Sequence, residues 1–124
     1  MTILVADDDS LFRSLLKRFL MAEAAVSVVW EAQNGEEATL AAEARRPDLV
    51  IVDMALLRIS GLEVTRLLKS KHPEMKVVVL SGYHEQAYER AALESGADAY
   101  YPKSKCREVL QHLAEGQTPP STAK

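Results

Sequence analysis

Apolar residues fall along this chain in two alternating rhythms. Short, nearly unbroken apolar runs stand at Ile3–Ala6, Val26–Trp30, Leu49–Val52, Val77–Leu80 and Ala99–Tyr101, the pattern of a strand covered on both faces. Between them lie stretches with helical spacing. In the first, Leu11, Leu15, Leu16, Phe19 and Leu20 recur at helical intervals and predict a buried side, whereas Arg13, Lys17 and Arg18 are expected to face water. The second opens at Asn34 with Glu36 and Glu37 behind it and ends at Arg45, Arg46 and Pro47, so acid sits at the positive end of the helix dipole and base at its negative end. Ser60-Gly61-Leu62-Glu63 has the form of a capping box for a third helix, which stops before Pro73. A fourth closes at Gly96, and a fifth opens at Ser104 and carries Val109, Leu110 and Leu113. Residues 116–124, with Thr118, Pro119, Pro120, Ser121 and Thr122, have nothing to bury and read as a disordered tail or the start of a linker, leaving residues 1–115 as the folded domain.

Five strand–helix units of this length imply an α/β fold, a doubly wound five-stranded parallel sheet with right-handed crossovers and helices on both faces. In such a sheet the functional crevice lies outside the carboxyl ends of the strands. Asp7 and Asp8 follow the first strand, Asp53 closes the third, Ser81 follows the fourth and Lys103 comes just after the fifth. Three acids, a hydroxyl and an ammonium are therefore expected at one edge.

Composition narrows the classes of function. At 124 residues and 48% hydrophobic, the chain supports one core and one domain. A net charge of -3 with no block of Lys or Arg argues against direct binding of nucleic acid, which needs a phosphate-neutralising surface. Cys106 stands alone, so an intramolecular disulfide is excluded, and no apolar stretch is long enough for a signal region or a membrane span. A soluble, cytoplasmic domain is expected. Cys106 and Trp30 read as packing residues, and His72, His84 and His112 share no metal-ligand spacing and read as solvated.

The run Asp7-Asp8-Asp9 carries the chemistry. Like charges at close range repel and raise one another's pKa, so a cluster of them points to a divalent cation or to a reaction that uses it. A helix cap needs only one acid. Asp9 is equally readable as that cap or as a member of the cluster; Asp7 and Asp8 are not needed for capping.

In the order and spacing of Asp7 and Asp8, of Asp48-Leu49-Val50-Ile51-Val52-Asp53 with Gly61 beyond it, of Ser81, and of Gly96-Ala97-Asp98-Ala99-Tyr100 leading to Lys103, the chain resembles the receiver domain of two-component response regulators. The resemblance runs from Ile3 to about Leu113. It implies a flavodoxin-like (β/α)5 fold, Asp53 as phosphoacceptor, and Mg2+ held by Asp8 and Asp53, by Asp7 through water and by the Ala55 carbonyl. Lys103 and Ser81 would contact the phosphoryl oxygens, and Ser81 with Tyr100 would form a switch in which the tyrosine ring turns into space that the hydroxyl vacates. The implied partners are a sensor histidine kinase or phosphotransfer protein as phosphoryl donor, and an output domain, a downstream protein or a second receiver as the reader of the switched face. The segments around helices three and four further resemble receivers fused to helix-turn-helix output domains. Three features depart from the family pattern or bear on it: Leu57 and Arg58 stand where receivers usually carry Pro and often Gly, Ser104 follows Lys103 where Pro is usual, and Gly82 leaves room beside Ser81. Without proline a trans Lys103–Ser104 peptide is expected, because a cis bond there costs roughly 2.5–4 kcal/mol. In addition, Ala55 offers no polar group to orient water, and Tyr83 is bulky enough to shield a phosphoryl group, which together suggest slow dephosphorylation.

Two other classes fit the sequence less well. A phosphorylation-independent interaction module on the same fold would be expected to have lost an acid or the lysine. An aspartate-nucleophile phosphohydrolase would use Asp7 and Asp9, two apart after a strand, but would leave Asp53 without a role and lacks length for a substrate cap.

Overall fold

The computed structural model describes residues 1–82 and 86–108. Five strands, β1 (Thr2–Ala6), β2 (Val28–Ala32), β3 (Leu49–Asp53), β4 (Lys76–Ser81) and β5 (Ala99–Pro102), alternate with the helices α1 (Ser10–Met21), α2 (Gly35–Arg45), α3 (Gly61–Lys71) and α4 (Gln86–Glu94). All strand pairs are parallel and the sheet order is β2-β1-β3-β4-β5. The chain thus leaves β1 in one direction to form β2 and returns on the other side to form β3, which opens a crevice at the carboxyl ends of β1 and β3.

Alternate residues of each strand feed two separate cores. Leu4, Val50, Val52, Val77 and Val79 pack with Ala38, Ala42, Val64, Leu68 and Ala92 from α2, α3 and α4. Ile3, Val5, Leu49, Ile51, Val78 and Leu80 pack with Leu16 and Leu20 of α1. This period of two on strands buried on both sides explains the unbroken apolar runs.

Caps sit where the sequence places them. Asp9, Asn34 and Ser60 precede α1, α2 and α3, and their side chains accept N–H groups of the first turns. Asp9 is therefore the cap of α1. The β2 strand lies two residues later than its apolar run; Val26 is buried in the preceding loop instead. The chain after β5 begins with a 3₁₀ turn at Lys103–Lys105, one residue before the expected helix start. Val109, Leu110 and Leu113 of the expected fifth helix, the loop residues Tyr83 and His84, His112 and the tail 116–124 lie outside the described residues.

Expectations fail on solvent exposure in α1 and at His72. In α1 the apolar residues form two adjacent rows, and the row Leu16–Leu20 meets the sheet while Leu11, Leu15 and Phe19 are exposed. Helical period alone cannot choose between neighbouring rows. His72 is buried rather than solvated, with Nε2 2.9 Å from Glu43 Oε2. Trp30 packs against the α2 side core as expected, and Arg45 lies over its ring at 5.5 Å.

At the sheet edge opposite the crevice the helix–sheet joints are tied by one half-buried cation, Lys69. Lys69 Nζ donates to the carbonyls of Pro73 and Met75 and to Asp98 Oδ2, which also accepts the Val77 N–H. The end of α3 and the entries to β4 and β5 are thereby fixed together.

Candidate functional site

Strand register brings the predicted residues to one edge. Ala6 pairs with Val52 and Asp53 with Leu80, so Asp7 and Asp53 leave neighbouring strands at the same level. Ser81 pairs with Pro102, which puts Lys103 one residue beyond the end of β5. A carboxylate oxygen from each of Asp7, Asp8 and Asp53 lies within 4.8 Å of the others. That separation is close to the roughly 4 Å between opposite ligands of a small octahedral cation with oxygen ligands.

The three acids differ in what already holds them. Asp7 is only 2% exposed; its Oδ1 accepts the Asp9 N–H at 2.9 Å and its Oδ2 is 2.8 Å from Lys103 Nζ. Both of its oxygens are engaged. Asp8 is exposed, and among the described residues its carboxylate has no such contact. Asp53, 6% exposed, has Oδ2 3.7 Å from Lys103 Nζ and receives a long contact of 3.5 Å from the Ala55 N–H at Oδ1. Burial, followed by the charge of Asp7, raises the Asp53 pKa above the ordinary carboxylate value, and Lys103 opposes the shift only in part.

Lys103 bridges the two buried carboxylates. Burial works against its charge, yet the hydrogen bond to Asp7 and the field of Asp53 prevail and hold its pKa above the ordinary lysine value. The cluster of three carboxylates is accompanied by this one ammonium, in contact with two of them, so two negative charges remain for a divalent cation to balance. The donor set, all carboxylate oxygen, suits Mg2+. Because Asp7 is already held by Asp9 and Lys103, Asp8 and Asp53 are the acids best placed to bind such an ion directly.

Ser81 and Tyr100 are both buried and hydrogen-bonded to each other. Burial raises the Tyr100 pKa, and the bond to Ser81 offsets part of that rise. The ring, 2% exposed, already lies inside the fold. The switch implied by the resemblance, in which the ring turns into space that the Ser81 hydroxyl vacates, concerns the phosphorylated state and starts from this inward ring. The Lys103–Ser104 peptide is trans, as are all peptides among the described residues.

Two residues around the acids were not singled out by sequence. Arg13, expected to face water, donates from Nη1 to the Asp7 carbonyl at 2.6 Å and from Nε to Glu31 Oε1 at 3.0 Å. It fastens the loop carrying Asp7 and Asp8 to the end of β2. Phe12 places its ring under the Lys103 ammonium, 4.5 Å from Nζ to the ring centroid. The available signal was a base and an aromatic one turn into the helix that follows the acids. The loop after Asp53 contains Arg58 at φ 70°, a left-handed conformation that favours glycine, where the family pattern often has one.

Residues 3–115 match the sequence profile of the response regulator receiver domain. The chain is similar to the transcriptional regulatory protein DegU of Brevibacillus brevis, 34% identical over 87% of this chain and 46% of that protein. It is also similar to the response regulator GacA of Pseudomonas viridiflava, 37% identical over 82% of this chain and 47% of that protein. It spans about half the length of these relatives. Among solved structures, the signal receiver domain assigned to the response regulator NarL from Mycobacterium tuberculosis superposes with a TM-score of 0.83 at 28% identity, covering 94% of this chain and 97% of that one. The response regulator domain of Thermotoga maritima CheB gives 0.79 at 27% identity, covering 94% and 92%. Among the described residues no helix is long and apolar enough to cross a membrane.

Proposed function

Since the chain belongs to the response regulator receiver domain family, we propose that Asp53 accepts a phosphoryl group from the phosphohistidine of a sensor kinase or phosphotransfer protein. The observation that carries this reading is the bridging of Asp7 and Asp53 by Lys103 beside exposed Asp8, at the carboxyl ends of adjacent strands. Attack by an Asp53 carboxylate oxygen forms the new P–O bond as the P–N bond to imidazole breaks, and the imidazole leaves with the bonding pair and takes up a proton. Phosphoryl transfer of this kind depends chiefly on positioning and on compensating charge on the phosphoryl oxygens.

Asp8 and Asp53 would hold Mg2+ directly, with Asp7 acting through water and the Ala55 carbonyl adding a ligand. When bound, the ion supplies charge compensation at the phosphoryl oxygens. Lys103 adds a point positive charge to the same group, and the Ser81 hydroxyl can donate to one of its oxygens. Asp9 does not belong to this set; its engagement as helix cap also weakens the phosphohydrolase alternative.

The domain so read is a signalling unit of residues 1–115 that catalyses its own phosphorylation and dephosphorylation in the cytoplasm, with 116–124 as tail or linker. Its modified state is read by an output domain, a downstream protein or a second receiver, and the names of the relatives favour a transcriptional output. Direct contact with nucleic acid is not assigned to this domain.

Incubation with acetyl phosphate and Mg2+ followed by intact-mass and peptide mapping tests the reading. One acyl phosphate at Asp53 is expected, absent in Asp53→Asn, together with weaker Mg2+ binding in Asp8→Ala. Undiminished labelling of Asp53→Asn would sink the assignment.

A further inference from the structure

We propose that Phe12 is a positioning residue for Lys103, its ring face holding the ammonium over the Asp7 and Asp53 carboxylates. The inference rests on the reading of Asp53 as phosphoacceptor and adds to it a residue from outside the acid, hydroxyl and lysine set.

The need for such a residue follows from the chain around Lys103. A lysine stem has four rotatable bonds and its ammonium is strongly hydrated, so the backbone alone does not aim it. Here Ser104 follows Lys103, the peptide is trans, and Lys103 starts only a short 3₁₀ turn. The two carboxylates attract the ammonium at 2.8 and 3.7 Å. Phe12 adds a third, uncharged contact, since the face of an aromatic ring carries negative potential and 4.5 Å lies well within the roughly 6 Å range of cation–π attraction.

Phe12 is itself held firmly. Its N–H donates to the Asp9 cap at 3.1 Å, and its ring packs, partly buried, against the core beneath α1. Asp9, although outside the acid cluster, thus fixes the helical turn that carries the ring. Unlike the carboxylates, the ring does not change charge during the reaction. When Asp53 becomes an acyl phosphate or Asp7 turns toward a cation, the pull from the acid side changes while the aromatic floor stays in place. The ammonium then keeps its position beside the new phosphoryl oxygens.

A residue that merely filled the core would tolerate an apolar replacement. The test therefore compares the full chain with Phe12→Leu and Phe12→Tyr by two measurements. The first is the NMR shift of the Lys103 ε-methylene, which a ring face at this distance moves upfield. The second is the rate of labelling by acetyl phosphate at saturating Mg2+. Phe12→Leu is expected to lose the upfield shift and to label about five-fold more slowly with Mg2+ affinity unchanged; Phe12→Tyr, which keeps the ring, should match the wild type on both. Wild-type labelling by Phe12→Leu, or slow labelling by a folded Phe12→Tyr that retains the shift, would overturn the proposal. An unlabelled wild type would instead overturn the phosphoacceptor reading, and the Lys103 shift, which needs no phosphorylation, tells the two failures apart.

Discussion

Gly61, the first residue of α3, lies so close to Asp53 that a Cβ placed on it would stand 2.1 Å from the Asp53 carbonyl oxygen. Its N–H donates to the Met54 carbonyl at 2.9 Å, which pulls the start of α3 down onto the end of β3. Only the absence of a side chain permits this approach, and the approach sets the backbone from which the Asp53 carboxylate projects.

Gly61→Ala must therefore push α3 away from β3. A loss of about 1–3 kcal/mol of stability is expected, the usual range for overpacking against backbone that cannot yield, with slower phosphorylation of Asp53. Urea unfolding followed by circular dichroism measures the first effect. A midpoint equal to that of the wild type would show that the joint can open without loss.

The raised pKa of Asp53 sets a pH dependence. Burial and Asp7 lift its folded value above the reference value of 3.8, so the folded state binds the proton more tightly than the unfolded chain. The stabilisation from this proton is complete below the unfolded pKa and is lost as pH rises through the raised folded value. Asp53→Asn, which carries no charge, should gain stability relative to the wild type over that same rise in pH when Mg2+ is absent. Urea titrations from about pH 4 to pH 7 would record a widening difference; a constant one would mean that Lys103 already cancels the penalty.

Lifetime of the acyl phosphate depends on what can orient an attacking water. Ala55, two residues past Asp53, offers only its backbone; its N–H points to Asp53 Oδ1. Ala55→Asn adds a polar group at this position and should shorten the lifetime about ten-fold, a modest share of what a positioned general base supplies. Decay of the labelled species measured by mass after removal of the phosphodonor gives the rate. An unchanged lifetime would shift the cause to other residues around the group.

Ser81 and Tyr100 are the residues expected to form a conformational element. With the ring inside and hydrogen-bonded to Ser81, phosphorylation of Asp53 is expected to draw the Ser81 hydroxyl toward phosphoryl oxygens and so weaken its bond to the tyrosine. The consequence should reach α4, whose Tyr88 and Glu89 influence Tyr100. Moving a population from 1:99 to 99:1 requires about 5.5 kcal/mol of differential stabilisation, so a few charge-assisted hydrogen bonds give a partial or near-complete shift. NMR comparison of the free chain with its beryllofluoride complex is expected to show changes at Tyr100 and along α4. Changes confined to the neighbours of Asp53 would rule out this element.

Local chemistry made much of this protein legible in its sequence. The alternation of apolar runs with helical stretches specified a parallel α/β sheet, because strands buried on both faces cannot alternate with polar residues. Asn34, Ser60 and Gly96 marked helix ends, since capping is settled within three or four residues. The convergence of Asp7, Asp8, Asp53 and Lys103, with Ser81 at the same edge, followed from one rule, that parallel strands present their carboxyl ends together. The trans peptide at Ser104 followed from the energy of a single bond.

Contacts between distant segments were decided only in three dimensions. Which apolar row of α1 meets the sheet depends on the tilt and roll of the helix on its strands, and the sequence period is the same for either row. His72 is buried because α3 ends against α2 beside Glu43, and Tyr100 lies inward as part of the core on the α2, α3 and α4 side of the sheet. Arg13 on the Asp7 carbonyl and Phe12 beneath Lys103 belong to the same class: each joins α1 to another strand end, and such pairings depend on distances and side-chain directions that no local pattern encodes. Asp9, by contrast, bonds among the described residues only within its own turn as a cap, and it was the choice between that role and the cluster that the structure made. Propensity and periodicity act over a few neighbouring residues, whereas the crevice takes its final form from the packing of elements drawn from the whole chain.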